Sequence, residues 1–303
     1  MDFVVRSLQH IQLRVLIFSG LFFLIKMQDK PKIAIQGNRG SFHHVVAKNY
    51  YGEDFSLVVC ETFNDSVKAL LNGSADQAVM AIENSIAGSI IPNYALIDRN
   101  KLAIVGEYSL SIHHHLMALN GQQIEDIKEV HSHPMALLQC QDFFHQYPHI
   151  RLVESEDTAD EARRISEHQL KGIGAIASQE AAELYGMNIL APSIQTIKNN
   201  VTRFVIIQNN GQLIAEDKIN KAALKFILDH QRGSLAAVLN VMSDCQLNLT
   251  KIQSLPVIET PGKYSFFVDV TFDAFSNYDK ARKLIAIMAS EFKILGEYAQ
   301  HKR

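Results

Sequence analysis

KNNVTRFVIIQ, Lys198 to Gln208, sets two amides, a threonine and an arginine directly against an apolar run of strand-forming residues. Polar residues at the mouth of a strand suit a binding site, and the position of this strand in the chain decides the architecture. It follows two stretches of alternating strands and helices, so it reads as a late return strand that completes two α/β lobes. A cleft then lies between the lobes, where small-molecule sites commonly form.

Working outward toward the N-terminus, the first stretch runs KIAIQG (strand, from Lys32), SFHHVVAKNYYG (helix), LVVCETF (strand), SVKALLNG (helix closed by Gly73) and QAVMAIENS (strand ending in a polar tip). The second runs YSLSIHHHLMAL (strand), PMALLQCQDFFHQY (helix entered at Pro134), TADEARRISEHQ (helix), GIGAIAS (buried strand) and QEAAELYG (helix ended by Gly186). Downstream, the polar loop NNGQLIAEDK, Asn209 to Lys218, reads as a linker. After it come AALKFILDH (strand), GSLAAVLNVMSD (helix), LNLTKIQSLPV and YSFFVDVTF (strands), YDKARKLIAIMASE (helix) and ILGEYAQ (strand). That is βαββαβ, the ferredoxin-like order. The expected fold class is therefore α/β: a two-lobed domain over 31–208, a linker over 209–219 and a ferredoxin-like unit over 220–303.

Composition narrows the function classes. With 303 residues, 47% hydrophobic, 20% charged and a formal charge of -3, the chain has the make-up of an ordinary globular protein, not a disordered or fibrous one. Lys and Arg are scattered among the acids, which argues against a nucleic-acid partner. Cys60, Cys140 and Cys245 lie far apart, with no metal or redox spacing, as expected in a reducing cytoplasm. Residues 1–30 form an apolar leader expected to lie outside the fold; its run VLIFSGLFFLI, Val15 to Ile25, falls well short of the roughly 20 residues a spanning helix needs. KMQDKPK after it lacks a cleavage pattern, so the favoured reading is a start at Met27, with an export signal as the alternative.

Several polar tips are candidates for chemistry. GNRGSF, Gly37 to Phe42, joins a strand to a helix, so it is either an anion-binding turn with Ser41 or a tight turn that Ser41 caps. ENSIAG, Glu83 to Gly88, places an acid and an amide at a strand's C-terminal end, where open α/β sheets bind ligands, or uses Asn84 to shape its own turn. SHPMALLQC opens a helix with Ser132 near the cap, and Gln139 lies inside that helix. The run His113 to His115 does not read as a metal site, because in a strand only His113 and His115 share a face and no third ligand is suggested.

Taken in order and spacing, GNRGSFHHVVA, ENSIAG, SHPMALLQC, the TAD after Asp157, GAIAS with QEAAELYG, and NNVTRF resemble a prephenate dehydratase, and the C-terminal unit resembles the ACT regulatory domain such enzymes carry. The resemblance runs from about Lys32 to the C-terminus. It implies a two-lobed catalytic domain of periplasmic-binding-protein type that converts prephenate to phenylpyruvate, water and CO2 in phenylalanine biosynthesis, with no cofactor and no metal. It implies that Thr202, Asn84, Ser132 and Gln139 are catalytic. It also implies that Ser41, Glu83, Arg203 and Phe204 bind substrate; on their own chemistry, Arg203 is equally a structural ion pair, Glu83 a structural acid and Phe204 a core residue beneath the site.

For the ACT unit the resemblance implies pairing into a homodimer or homotetramer and a phenylalanine site drawing on Gly233, Leu235, Asn248 and Ser254. Yet Gln253 stands where the family motif has an acid, and Leu255 replaces its arginine, so binding is expected to be weaker than in relatives with the full motif. Otherwise the unit only holds copies together. Arogenate dehydratase is one alternative activity; a non-catalytic solute-binding protein is the other, since fold alone does not separate binding from catalysis.

Overall fold

The computed structural model describes residues 13–18, 21–26, 30–211, 214–229, 231–257, 260 and 262–301, the first two stretches as backbone only. The expected start at Met27, positions 212 and 213 of the expected linker, and His230 of an expected strand lie outside the described residues. Within the apolar leader, β1 (Leu13–Phe18) and β2 (Leu21–Lys26) pair antiparallel as a two-stranded sheet.

The first lobe begins with β3 (Lys32–Gln36), α1 (Phe42–Tyr51), β4 (Ser56–Cys60), α2 (Phe63–Leu71), β5 (Gln77–Asn84), β6 (Gly88–Ser89), α3 (Ile91–Arg99) and β7 (Ala103–Ser111). Ile33, Ala34 and Ile35 are all fully buried, which is what a parallel strand covered on both faces requires. The helix α2 starts three residues earlier than its apolar spacing suggests, because the Thr62 side chain accepts from the Asp65 N–H and caps it.

At 112–114 the chain crosses into a second sheet. It contains β8 (His115–Ala118), β9 (Glu129–Ser132), α4 (Pro134–Gln139), α5 (Gln141–Phe144), β10 (Arg151–Glu154), α6 (Thr158–Glu167), β11 (Ile173–Ala177), α7 (Gln179–Tyr185) and β12 (Asn188–Ala191), in the strand order β10-β9-β11-β8-β12. Asp157 caps α6 through the N–H groups of Ala159 and Asp160, and Gly186 ends α7 in the left-handed region. The chain then returns as β13 (Val201–Gln208), which inserts between β7 and β5.

One expectation is corrected here. YSLSIHHHLMAL is not one strand: it divides into β7 and β8, which belong to different sheets. The backbone leaves the ladder because it finds other partners. Ile112 N donates to Asn200 O at 2.7 Å, and His114 N to Gln195 Oε1 at 3.0 Å. The two crossings between the lobes therefore run side by side, braced by the fully buried Gln195.

The C-terminal unit is β14 (Lys221–Leu228), α8 (Ser234–Asp244), β15 (Asn248–Pro256), β16 (Tyr264–Thr271), α9 (Phe275–Met288) and β17 (Glu291–Tyr298). Its strand order, β15-β16-β14-β17, is that of a ferredoxin-like sheet. It has its own core, with Phe226, Val238, Val268, Tyr278 and Ile285 buried between sheet and helices. It meets the first lobe edge to edge: Gly296 of β17 pairs with Ile104 of β7, and together they make one ten-stranded sheet. A Cβ at Gly296 would collide with the Ile104 carbonyl, so this approach requires glycine.

Candidate active site

Between the lobes lies a cleft of about 570 Å³. Its walls are strand ends and helix starts from both sheets, including Ser41, Phe42, Thr62, Asn84, His114, Gln139, Asp157, Thr202 and Phe204. In β13 successive side chains point to opposite faces. Thr202 and Phe204 accordingly face the cleft, whereas Val201 and Arg203 line a separate cavity behind the sheet.

The polar side chains in the cleft form a hydrogen-bonded chain that crosses from one lobe to the other. Thr202 and Asn84 are cross-strand partners, and Asn84 Nδ2 donates to Thr202 Oγ1 at 2.8 Å. The same amide donates to Asn200 Oδ1 at 2.7 Å. Asn200 Nδ2 donates in turn to Gln139 Oε1 at 2.8 Å, and His114 Nε2 lies 3.0 Å from that oxygen. An amide oxygen only accepts, so His114 carries its proton on Nε2. Meanwhile Asn84 Oδ1 accepts from the N–H groups of Ile86 and Ala87, both at 2.9 Å. The two readings of ENSIAG therefore hold together: one end of the Asn84 amide shapes the turn and the other serves the cleft.

The charged side chains that line the cleft are acids, Glu61, Glu156 and Asp157, and the positive potential there comes from backbone. None of the described residues lining it is Lys or Arg. The N-termini of α1, α2 and α6 open onto it at Ser41, Thr62 and Asp157, placing the positive ends of three helix dipoles around the space. Burial lowers the His43 and His114 imidazoles to about 4, so both are neutral near pH 7. Burial also raises the Asp157 carboxyl, despite the two N–H groups it accepts from.

The turn GNRGSF sits against the opposite lobe. Ser41 caps α1, accepting from His44 N at 3.3 Å, and Gly40 N donates to His44 Nδ1. Across the cleft mouth, Ser178 Oγ donates to Gly40 O, Tyr185 OH to Arg39 O, and Asn38 Nδ2 to Asp160 Oδ1. Gly37 and Gly40 both have φ +86°; an added Cβ would meet Asp157 Oδ2 at 2.5 Å and Ala181 Cα at 2.9 Å, respectively.

Of the residues expected in the site, Thr202, Asn84, Gln139, Ser41 and Phe204 line the cleft. Phe204 is 1% exposed and forms its floor, edge-on to His43. Three do not line it. Ser132 is fully buried and donates to Ile176 O at 2.7 Å, tying β9 to β11. Glu83 lines the cavity behind the sheet, where it pairs with Lys251 at 3.0 Å. Arg203 is there too: its Nε donates to Glu107 at 2.8 Å, and its terminal nitrogens bond Asp269 and the Tyr298 hydroxyl. Burial works against the Arg203 charge, but Asp269, Tyr298 and Glu107 outweigh it and hold the guanidinium firmly protonated. The expected pairing of Arg203 with a substrate carboxylate gives way to an ion cluster.

Residues expected to bind phenylalanine lie far from the cleft. Gly233 precedes α8 with φ +82°, Leu235 packs into the C-terminal core, and Asn248 and Ser254 are exposed along β15, the outermost strand. Sequence reasoning missed His114 and Asn200 as site members. The Asn-Asn pair before the strand was visible, but its partner Gln139 is 61 positions away.

A hinged two-lobed α/β domain with an amide–hydroxyl chain at its cleft, joined to a ferredoxin-like unit, defines a small-molecule enzyme carrying an appended module. The chain belongs to the prephenate dehydratase family, whose profile, described as prephenate dehydratase, matches residues 33–212. It is an enzyme of the dehydratase (hydro-lyase) class. It is 36% identical over 285 residues to arogenate dehydratase 2 of Petunia hybrida, covering 89% of this chain and 72% of that one. It is 35% identical to a chloroplastic arogenate dehydratase/prephenate dehydratase 2 of Arabidopsis thaliana, covering 89% and 73%. Among solved structures it resembles prephenate dehydratase from Arthrobacter aurescens in complex with L-Phe, with TM-score 0.80, 26% identity, and 88% and 89% of the two chains covered. Among the described residues no helix is long and apolar enough to cross a membrane.

Proposed function

We propose that the cleft carries out the decarboxylative dehydration of prephenate, with the Thr202 hydroxyl as the donor to the departing C4 oxygen. The ring carboxylate leaves as CO2, its bonding electrons enter the ring, and the C4–O bond breaks with its pair on oxygen. That oxygen takes up one proton, passed on by the Thr202 hydroxyl and replaced there from solvent, and leaves as water; the products are phenylpyruvate, CO2 and water.

One observation carries this reading. Thr202 Oγ1 accepts from Asn84 Nδ2, which satisfies the oxygen and leaves the hydroxyl's own proton free to point into the cleft. Threonine is a weak acid, so its contribution is an oriented donor, polarised by the amide chain behind it, more than bulk acidity. Helix N-termini and neutral amides hold the two carboxylates without a strong cation. That suits the chemistry, because a ring carboxylate tightly paired with Arg or Lys would resist leaving as neutral CO2.

The C-terminal unit over 220–303 acts as an ACT-type regulatory module that binds phenylalanine weakly and pairs copies of the chain into a dimer or tetramer. The L-Phe complex of the Arthrobacter aurescens relative supports the ligand, and exposed Asn248 and Ser254 on an edge strand support its place. A reducing compartment such as the cytoplasm fits three free, buried cysteines. The test is turnover by the purified chain of prephenate and, separately, arogenate, following phenylpyruvate and phenylalanine. Prephenate turnover is expected. Tight prephenate binding without product would replace this reading with a binding protein, and turnover of arogenate alone would change the substrate.

A further inference from the structure

Directly behind Thr202 and Asn84 lies a buried charge cluster that the proposed chemistry does not use. The catalytic strands contribute three members: Arg203 from β13, Glu83 from β5 and Glu107 from β7. The ferredoxin-like sheet contributes one residue from each of its four strands: Lys221 from β14, Lys251 from β15, Asp269 from β16 and Tyr298 from β17. Lys221 Nζ reaches Glu107 at 2.8 and 3.0 Å, and Lys251 Nζ reaches Glu83 at 3.0 Å and Ser89 Oγ at 2.8 Å. Three cations and three carboxylates balance, and Lys221, Glu107 and Asp269 are each at most 5% exposed.

Register makes the cluster more than a domain contact. Arg203 and Glu83 are cross-strand partners, as are Thr202 and Asn84, so each member of the cleft pair is bonded along its backbone to a member of the cluster pair. Immediately beyond them the β13–β5 register slips, Phe204 pairing with Ala81 instead of the next residue in step. A bulge of this kind re-aims the side chains beside it and needs something to hold the chosen geometry. Arg203 is placed to do so, with its guanidinium fixed on three sides by Glu107, Asp269 and Tyr298.

We propose that Arg203 is a positioning residue: clamped by Asp269 of β16 and Tyr298 of β17, while Lys221 of β14 and Lys251 of β15 hold its acidic neighbours Glu107 and Glu83, it fixes the bulged end of β13 and so sets where the Thr202 hydroxyl and the Asn84 amide stand in the cleft. The catalytic geometry is then completed by the C-terminal unit, although none of that unit's described residues lines the cleft. This rests on the reading of the cleft given above.

The test uses the full chain with Asp269→Asn, which keeps shape and removes one clamp, alongside Arg203→Gln and, at the rim of the cluster, Lys251→Gln. Wild-type turnover of prephenate is measured first; its absence would remove the proposed function and leave hydrogen exchange to judge the clamp. In folded Asp269→Asn, kcat falls roughly 10- to 100-fold with KM within about two-fold, since the substrate's binding groups are untouched while the reacting donor is displaced. Amide exchange at 201–204 rises at the same time. Arg203→Gln combined with Asp269→Asn is no worse than Arg203→Gln alone, because both act through one contact. Should Arg203→Gln fail to fold, Asp269→Asn and Lys251→Gln carry the test. A folded Asp269→Asn with wild-type kcat and unchanged exchange at 201–204 overturns the proposal.

Discussion

Thr202 and Arg203 are adjacent in sequence and do different work because a strand turns neighbours to opposite faces. Thr202→Val keeps the β-branched shape and removes the proton, so kcat should fall roughly 10²-fold or more while the melting temperature hardly moves. Steady-state kinetics beside a thermal melt would check this; near-normal turnover would remove Thr202 from the chemistry. Period-two alternation was legible in VTRFVIIQ and would have turned Arg203 away from the substrate on the sequence alone. Likewise, in EVHS, Ser132 shares a face with buried Val130, a sign that it belongs to the core. Asn200 was not legible in this way, because its value lies in meeting Asn84 and Gln139, which only the folded hinge brings together.

At the scale of elements, caps and turns carried most of the information. Gly186 marked the end of α7, and the βαββαβ order appeared strand by strand. The four-residue strands β9, β10 and β12 were not read, because so few residues show no periodicity. The helix α3 was not read: Ile90 before it supplies no capping side chain, so Pro92 in its first turn stood alone as a start signal. The glycine turn before α1 yields a test of lobe contact. Gly40→Ala meets both a left-handed backbone, costing about 1–2 kcal/mol, and the Ala181 backbone of the other lobe. Gly52 has φ +74° with nothing within 4 Å, so Gly52→Ala carries the backbone cost only. Denaturant melts should therefore show both variants weakened, whereas KM should rise several-fold in Gly40→Ala alone. Equal KM values would show that the turn does not govern how the lobes meet.

For the whole molecule, burial of two neutral imidazoles ties stability to pH. His43 and His114 titrate near 4 in the folded chain, against 6.5 when unfolded. Below pH 6.5 the unfolded chain takes up protons that the folded chain refuses, so their contribution is complete above that pH and drains away as pH falls toward 4. At pH 5 the pair should have lost about 4 kcal/mol relative to pH 7. Urea unfolding at the two values would measure it, and His43→Leu should remove about half the difference; an unchanged difference would locate the acid sensitivity elsewhere.

The return of β13 between β7 and β5 also sets an order of assembly during synthesis. The second lobe is one uninterrupted stretch of chain, finished once β12 has emerged. The first lobe, although begun earlier, lacks a central strand until residue 208 is made, and until then β5 and β7 present bare edges to each other. Of the two lobes, the one begun first is thus completed second, and the strand that completes it is the one bearing Thr202: a nascent chain acquires its reactive hydroxyl and the missing middle of its first lobe in the same step.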